Sequence, residues 1–284
     1  MADADLAAML RGDKTAYGTL MISPSSAFAA AAASTGIDFV FIDTEHVPLD
    51  RDELSRMCML YKVLGLPPLV RIPKADAVLA RAALDAGASG IVASYIETVD
   101  QARELRRAVK LKPLQGELLE LAMDEPERFA REHPRTAALV AERNASTALV
   151  LNIESRPAIN NLDALLGVPG VDAVLIGPHD LSFNLGVPED FASDVFQDAV
   201  ATIFAKARAA GVGAGIHQGL PPTTPGMTPT DAARWIRGGC NVYVHAADAS
   251  LFATLLKRDL EAIRHDSGEA QAGAKCGNLE APVI

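Results

Sequence analysis

The chain has 284 residues, 49% of them hydrophobic and 22% charged, with a mean hydropathy of +0.15. That composition excludes a disordered chain, and the length fits either two ordinary domains or one α/β barrel. The 36 acidic residues outnumber the 26 basic ones to give a net charge of −10, a field that repels phosphate backbones and anionic headgroups, so neither nucleic acid nor membrane is an expected partner. Cys58, Cys240 and Cys276 are too widely spaced for a disulfide framework or a zinc knuckle, and the N-terminal stretch has no apolar signal core; the expected setting is the cytoplasm.

Eight short apolar runs rich in β-branched residues recur, at 17–22, 39–43, 67–72, 90–95, 148–153, 172–177, 213–218 and 241–246. Each is followed by an Ala/Leu/Arg-rich segment of helical spacing, the pattern of parallel strands joined by crossover helices. Helix ends are expected at Gly36, Gly65, Gly87, Gly211 and Gly238, where a residue without Cβ accepts a left-handed turn. The long gap between the fourth and fifth runs holds a charged, helical insertion at about 113–147, too small for its own core. Residues 1–265 are therefore expected to form one (β/α)8 TIM barrel, with 266–284 as a tail that is a loose end or an arm to another subunit. In such barrels the chemistry sits at the C-terminal ends of the strands.

The second run ends IDTEH, placing Asp43, Glu45 and His46 at that rim. Asp43 can orient the His46 imidazole for proton transfer, or the cluster can simply brace the loop before the next helix. In LVRIP, strand alternation puts Arg71 at the top of an apolar interior, where its charge needs either a substrate anion or a standing pair with Asp43 or Glu45. The fifth run delivers Asn152 and Glu154 on one face, and the sixth delivers Asp180 just beyond Gly177 and Pro178. Two neighbouring carboxylates suit Mg²⁺, or Mn²⁺ or Co²⁺, better than Zn²⁺; taken singly, Glu154 can cap the helix near Pro157 and Asp180 can cap the one after it. His179 either lines the site or fills a turn. His217 and His245 are read as barrel-lining or satisfied core histidines, Trp235 as packing, and Cys58 and Cys240 as small buried hydrophobes.

With IDTEH, LVRIP, LDAGASGI, NIESRPAINNLDALL and GVDAVLIGPHDLSFNLGVP in this order, the sequence resembles the class II, metal-dependent hydroxyketoacid (pyruvate) aldolases of the HpcH/HpaI family from about residue 18 to 264. The resemblance implies Glu154 and Asp180 as ligands of a divalent metal, Arg71 holding the keto acid and its enolate, and His46 with Asp43 as a proton-transfer dyad. It also implies Asn152 and the Gly177, Pro178 and His179 segment as keto-acid contacts, and Asp85 reaching an adjacent subunit's site. Implied partners are a small 2-oxo acid and an aldehyde. The last helix, about 250–264, is implied to be domain-swapped within a hexamer built from dimers. Two departures stand out: Asn152 replaces the Gln of many members, and Gly116, Glu117, Leu118 and Leu119 replace a Gly-x-Arg-Gly loop.

The function expected is reversible cleavage of a 4-hydroxy-2-oxo acid to pyruvate, or a related 2-oxo acid, and an aldehyde through a metal-stabilised enolate. Two rivals remain. One is a CoA-thioester hydroxy-acid lyase or oxaloacetate decarboxylase, for which Arg103, Arg106, Arg107 and Lys110 would form a diphosphate track if they are not merely a solvated face. The other is a non-catalytic barrel that binds a small acid. No Walker A or GxGxxG loop follows a strand, so no nucleotide cofactor is expected.

Overall fold

A computed structural model describes residues 5–218 and 224–268. The apolar runs become β1 (Ala16–Met21), β2 (Phe39–Asp43), β3 (Pro68–Ile72), β4 (Gly90–Ala93), β5 (Ala148–Asn152), β6 (Ala173–Ile176), β7 (Gly213–His217) and β8 (Val242–Ala247). All pair in parallel, in sequence order, and β8 closes on β1. The expected (β/α)8 barrel is thus the observed one, and the reason lies in two-sided burial. Alternate residues such as Phe41, Leu69, Val150, Leu175 and Val244 fill the interior, while Val40, Val70, Leu149, Val174 and Ile216 face the surrounding helices.

The helices are α1 (Leu6–Arg11), α2 (Ser26–Ala33), α3 (Arg51–Val63), α4 (Ala77–Asp85), α5 (Val99–Lys110), α6 (Gly116–Asp124), α7 (Pro126–Glu132), α8 (Pro134–Asn144), α9 (Arg156–Asn160), α10 (Leu162–Leu166), α11 (Pro178–Leu185), α12 (Asp194–Ala209), α13 (Pro229–Arg237) and α14 (Asp248–Ser267). Four of the five expected glycine turns have positive φ, at Gly36, Gly65, Gly87 and Gly211, but after α13 the left-handed residue is Gly239 (φ 109°) and Gly238 caps the helix at φ −85°.

The insertion between β4 and β5 folds as α6, α7 and α8, the last two each starting at a proline, where a missing N–H costs nothing. Against expectation it has a small apolar cluster of its own, with Leu111, Leu114, Met123, Phe129 and Val140 buried together. It lies along the outside of α5: Arg103 pairs with Asp124 at 2.7 Å and Arg107 with Glu120 at 2.6 Å. The expected tail begins later than anticipated, since α14 runs through Ser267; residues 269–284, including Cys276, lie outside the described residues. Among the described residues no helix is long and apolar enough to cross a membrane.

Candidate active site

At the C-terminal end of the barrel the inward positions change from apolar to polar. On β2, Phe41 is followed by Asp43, and on β3, Leu69 is followed by Arg71. Asp43 and Arg71 are register partners on adjacent strands. The carboxylate accepts from the guanidinium Nε at 2.7 Å and Nη2 at 2.6 Å, and Glu45 Oε2 stands 3.3 Å from Nε. Burial pushes the Asp43 carboxyl up, but the hydrogen bonds and charge of Arg71, with the Glu45 backbone N–H, outweigh it and hold the group below its ordinary value. Burial works against the Arg71 charge as well, and Asp43, Glu45 and Glu154 more than reverse it. Among the described residues Nη1 takes no hydrogen bond, which leaves one edge of a fixed guanidinium for a ligand.

One expectation is corrected here. The Asp43 oxygens are taken by Arg71 and by the backbone N–H groups of Glu45 (2.9 Å) and His46 (3.3 Å), so Asp43 braces the loop and does not hold the His46 imidazole. His46 is half-exposed at the rim, with Nε2 3.6 Å from Glu45 Oε2. Glu45 is itself held by the Ser94 hydroxyl, which donates to Oε2 at 2.6 Å.

Glu154 stands just past β5 and is 3% exposed. Its Oε1 accepts from the Tyr95 backbone N–H at 2.7 Å and its Oε2 from Asn152 Nδ2 at 3.1 Å. Burial pushes its carboxyl up to about 7; the Tyr95 N–H and Arg71 oppose this, while the charges of Asp180 and Glu45 add to it. The helix-cap alternative for Glu154 falls away, because Ser155 caps α9. Asp180 lies in the first turn of α11, whose N-cap is Gly177 and which opens at Pro178; its carboxylate accepts no hydrogen bond among the described residues. Gly177 is there for space: a Cβ would stand 2.1 Å from Glu154 Oε2. His179 packs on Phe183, its Nδ1 3.5 Å from Glu189 Oε1 without a hydrogen bond.

These residues fit a divalent cation. Glu154, buried, and Asp180, half-buried, are hard oxygen donors whose charges oppose each other, Asn152 Oδ1 is buried without a partner among the described residues, and Gly177 leaves the space open. Among the described residues no group of three or more His, Cys, Asp or Glu side chains is placed to hold a metal, so other positions around such an ion would go to water and substrate oxygens.

Several residues escaped the sequence. Tyr95 (φ 53°) acts through its backbone N–H, which no side-chain pattern reveals. Asn184 ties the segment together, its Nδ2 donating to the Tyr95 hydroxyl (2.9 Å) and to the carbonyls of Glu154 (3.1 Å) and Asp180 (2.9 Å). His217 lines the barrel as expected, but its Nε2 has no hydrogen-bond partner among the described residues. Asp85 ends α4, at the opposite end of its own barrel from the rim, paired with Lys112. The basic residues of α5 are engaged internally: besides the two arginine pairs on α6, Arg106 Nη1 meets Met123 Sδ at 3.2 Å and Lys110 meets Asp172 at 2.6 Å.

A closed (β/α)8 barrel with carboxylates, a guanidinium and an imidazole gathered at the C-terminal mouth is the architecture of a barrel enzyme; the relatives of this chain identify it as a carbon–carbon lyase of the aldolase kind. Residues 17–216 match the family profile described as HpcH/HpaI aldolase/citrate lyase. A 2-keto-3-deoxy-L-rhamnonate aldolase from Klebsiella pneumoniae is 31% identical over 93% of this chain and 94% of its own. A crystal structure of an HpcH/HpaI aldolase/citrate lyase family protein from Burkholderia cenocepacia superposes with a TM-score of 0.74 at 28% identity, covering 93% of this chain and 100% of that one. The HpcH/HpaI aldolase of Desulfitobacterium hafniense shares the fold, with a TM-score of 0.74 at 24% identity over 89% and 93% of the two chains. The chain belongs to the HpcH/HpaI aldolase/citrate lyase family, and divalent-metal dependence comes with that family.

Proposed function

We propose that the chain reversibly cleaves a 4-hydroxy-2-oxo acid into pyruvate, or a related 2-oxo acid, and an aldehyde, with Glu154 and Asp180 holding the cation, Mg²⁺ by preference. The observation that carries this reading is the buried Glu154 carboxylate, fixed by the Tyr95 N–H and by Asn152, on which the charges of Asp180 and Arg71 both act. The name of the K. pneumoniae relative, with its 2-keto-3-deoxy acid, supports the substrate class. A bound divalent cation supplies Lewis-acid polarisation of the 2-oxo group. Arg71, pinned by Asp43, turns Nη1 toward the developing enolate oxygen and stabilises it in a dry mouth. His46, at the open rim, accepts the 4-hydroxyl proton as the C3–C4 bond breaks; the electron pair passes into the enolate and the aldehyde carbonyl forms. Asn152 and Tyr95 fix the Glu154 carboxylate, and the backbone at Gly177, Pro178 and His179 offers the keto-acid carboxylate a site. The test is exchange of the pyruvate methyl hydrogens in D₂O, followed by proton NMR with Mg²⁺ and with chelator. Exchange that needs the cation is expected; no exchange with pyruvate, oxaloacetate or other 2-oxo acids refutes enolate chemistry.

The assembly proposed is a homo-oligomer in which α14 is exchanged between protomers, with a hexamer built as a trimer of dimers as its full form. A groove of about 850 Å³ between α2, α13 and α14 runs over β1 and β8, lined by Met21, Phe28, Ile236 and Leu255 among others. On α14, Phe252, Leu255, Leu256, Leu260 and Ile263 are exposed, an apolar face that a monomer would leave in water. Asp85, remote from its own rim, can serve catalysis only in a neighbour's site. Leu256→Asp with Leu260→Asp is expected to shift the protein to smaller species in light scattering; an unchanged mass removes the exchange. Free, buried Cys58 and Cys240 accord with a reducing cytoplasm.

A further inference from the structure

Because Asp43 is committed to Arg71 and to two backbone N–H groups, the half-exposed His46 ring needs another partner to fix its direction. Among the described residues the carboxylate that faces it is Glu45, whose Oε2 stands 3.6 Å from His46 Nε2. Glu45 lies in the loop between β2 and α3, yet its side chain is only 20% exposed. A carboxylate can orient a mobile ring only if it is itself held. Among the described residues the Glu45 carboxylate accepts one hydrogen bond, from the Ser94 hydroxyl at 2.6 Å.

Ser94 follows β4 and is 1% exposed, so bulk water does not compete for its hydroxyl. The hydroxyl has a single hydrogen and two acceptors within reach, Glu45 Oε2 and the Ile72 carbonyl at 3.2 Å. The shorter contact, to a charged oxygen, takes it. Arg71 cannot stand in for Ser94, because its Nε, 3.3 Å from Oε2, already donates to Asp43 Oδ1 at 2.7 Å. The ends of β2, β3 and β4, neighbours in the barrel, thus converge on one Glu45 oxygen. A neutral imidazole that faces a carboxylate through Nε2 keeps its hydrogen on that nitrogen, which leaves the Nδ1 lone pair to accept a proton.

We propose that Ser94 is a positioning residue for proton transfer: its hydroxyl fixes Glu45, and Glu45 holds His46 as the Nε2–H tautomer with Nδ1 as the base. The 4-hydroxyl proton moves to Nδ1 as the C3–C4 bond breaks, while the hydrogen on Nε2 stays directed at Glu45, whose charge faces the imidazolium that forms. The assignment rests on the aldolase reading above and extends it by giving His46 its orienting partner.

Two reactions that share an enolate separate this role from general support of the mouth. Cleavage of 4-hydroxy-2-oxobutanoate or 4-hydroxy-2-oxopentanoate needs a base for the 4-hydroxyl, whereas decarboxylation of oxaloacetate reaches the pyruvate enolate by losing CO₂, with no hydroxyl proton to remove. With Mg²⁺ present, Ser94→Ala is expected to lower kcat for cleavage relative to kcat for decarboxylation by about 10-fold or more, through kcat and not KM. Ser94→Thr, which keeps the hydroxyl, is expected to restore part of that ratio, and Glu45→Gln, which keeps an acceptor oxygen without the charge, to lower it. A ratio that stays within about twofold of wild type in Ser94→Ala, whether both rates fall together or neither falls, overturns the proposal. Should Ser94→Ala not fold, Glu45→Gln decides by the same limit. A wild type that cleaves neither acid overturns the proposal as well; if it also exchanges no pyruvate hydrogens, the aldolase reading falls with it, whereas cleavage with an unmoved ratio leaves that reading standing.

Discussion

Glu154→Gln is expected to lower metal-stimulated turnover by on the order of 10³-fold while leaving the fold intact. The substitution keeps the shape of the group and an oxygen for the Tyr95 N–H, and it removes the charge that a cation needs. Its new amide would meet Asn152 Nδ2, donor against donor, but Asn152 Oδ1 has no partner among the described residues, so that amide can turn over and accept. Loss of a buried charge that Asp180 repels also relieves the folded state, so thermal stability should hold or rise. Gly177→Ala tests the same carboxylate by sterics. Its Cβ would fall 2.1 Å from Oε2 and 3.3 Å from Cδ, so Glu154 must swing away, and a displacement of about 1 Å costs on the order of 10²-fold. Steady-state kinetics over a Mg²⁺ series read both variants; wild-type rates and Mg²⁺ dependence in Glu154→Gln would end the metal assignment.

The barrel was legible because β2 to β7 are buried on both faces, so they read as continuous apolar runs, and because the turn after each early crossover helix demands glycine. The rim carboxylates were legible for a related reason: a polar residue at the end of such a run stands out. Pairings across strands were not. The bidentate Arg71–Asp43 contact follows from the β2–β3 register, which periodicity does not supply, and that register took the partner expected for His46. Tyr95 contributes a backbone N–H, invisible to any pattern of side chains. His217 shows the opposite limit. Its inward direction follows from alternation along β7, yet only the packed barrel reveals that its Nε2 has no hydrogen-bond partner among the described residues. The insertion was misjudged because proline breaks divide it into helices short enough to fold back on a few shared apolar side chains.

Asp43→Ala is expected to destabilise the protein by about 3 kcal/mol and to cost on the order of 10²-fold in kcat/KM. The Asp43 side chain is fully buried and that of Arg71 is 6% exposed, so removing the carboxylate strands a guanidinium that cannot lose its proton. Glu45 Oε2, 3.3 Å from Nε, gives partial compensation, which keeps the cost near the low end for a broken buried pair. Catalysis suffers separately, because a guanidinium released from its bidentate hold no longer points Nη1 in one direction. The acid limb distinguishes this from ordinary core damage. Asp43 is held below its ordinary carboxylate value when folded, so the pair contributes fully above the unfolded pKa of about 3.9 and is lost as pH falls through the folded value. Urea titrations from about pH 5 downward should therefore fall more steeply for the wild type than for Asp43→Ala. Parallel curves over that window would mean that Asp43 holds Arg71 no better than water does, and the positioning of the enolate-binding guanidinium would need another source.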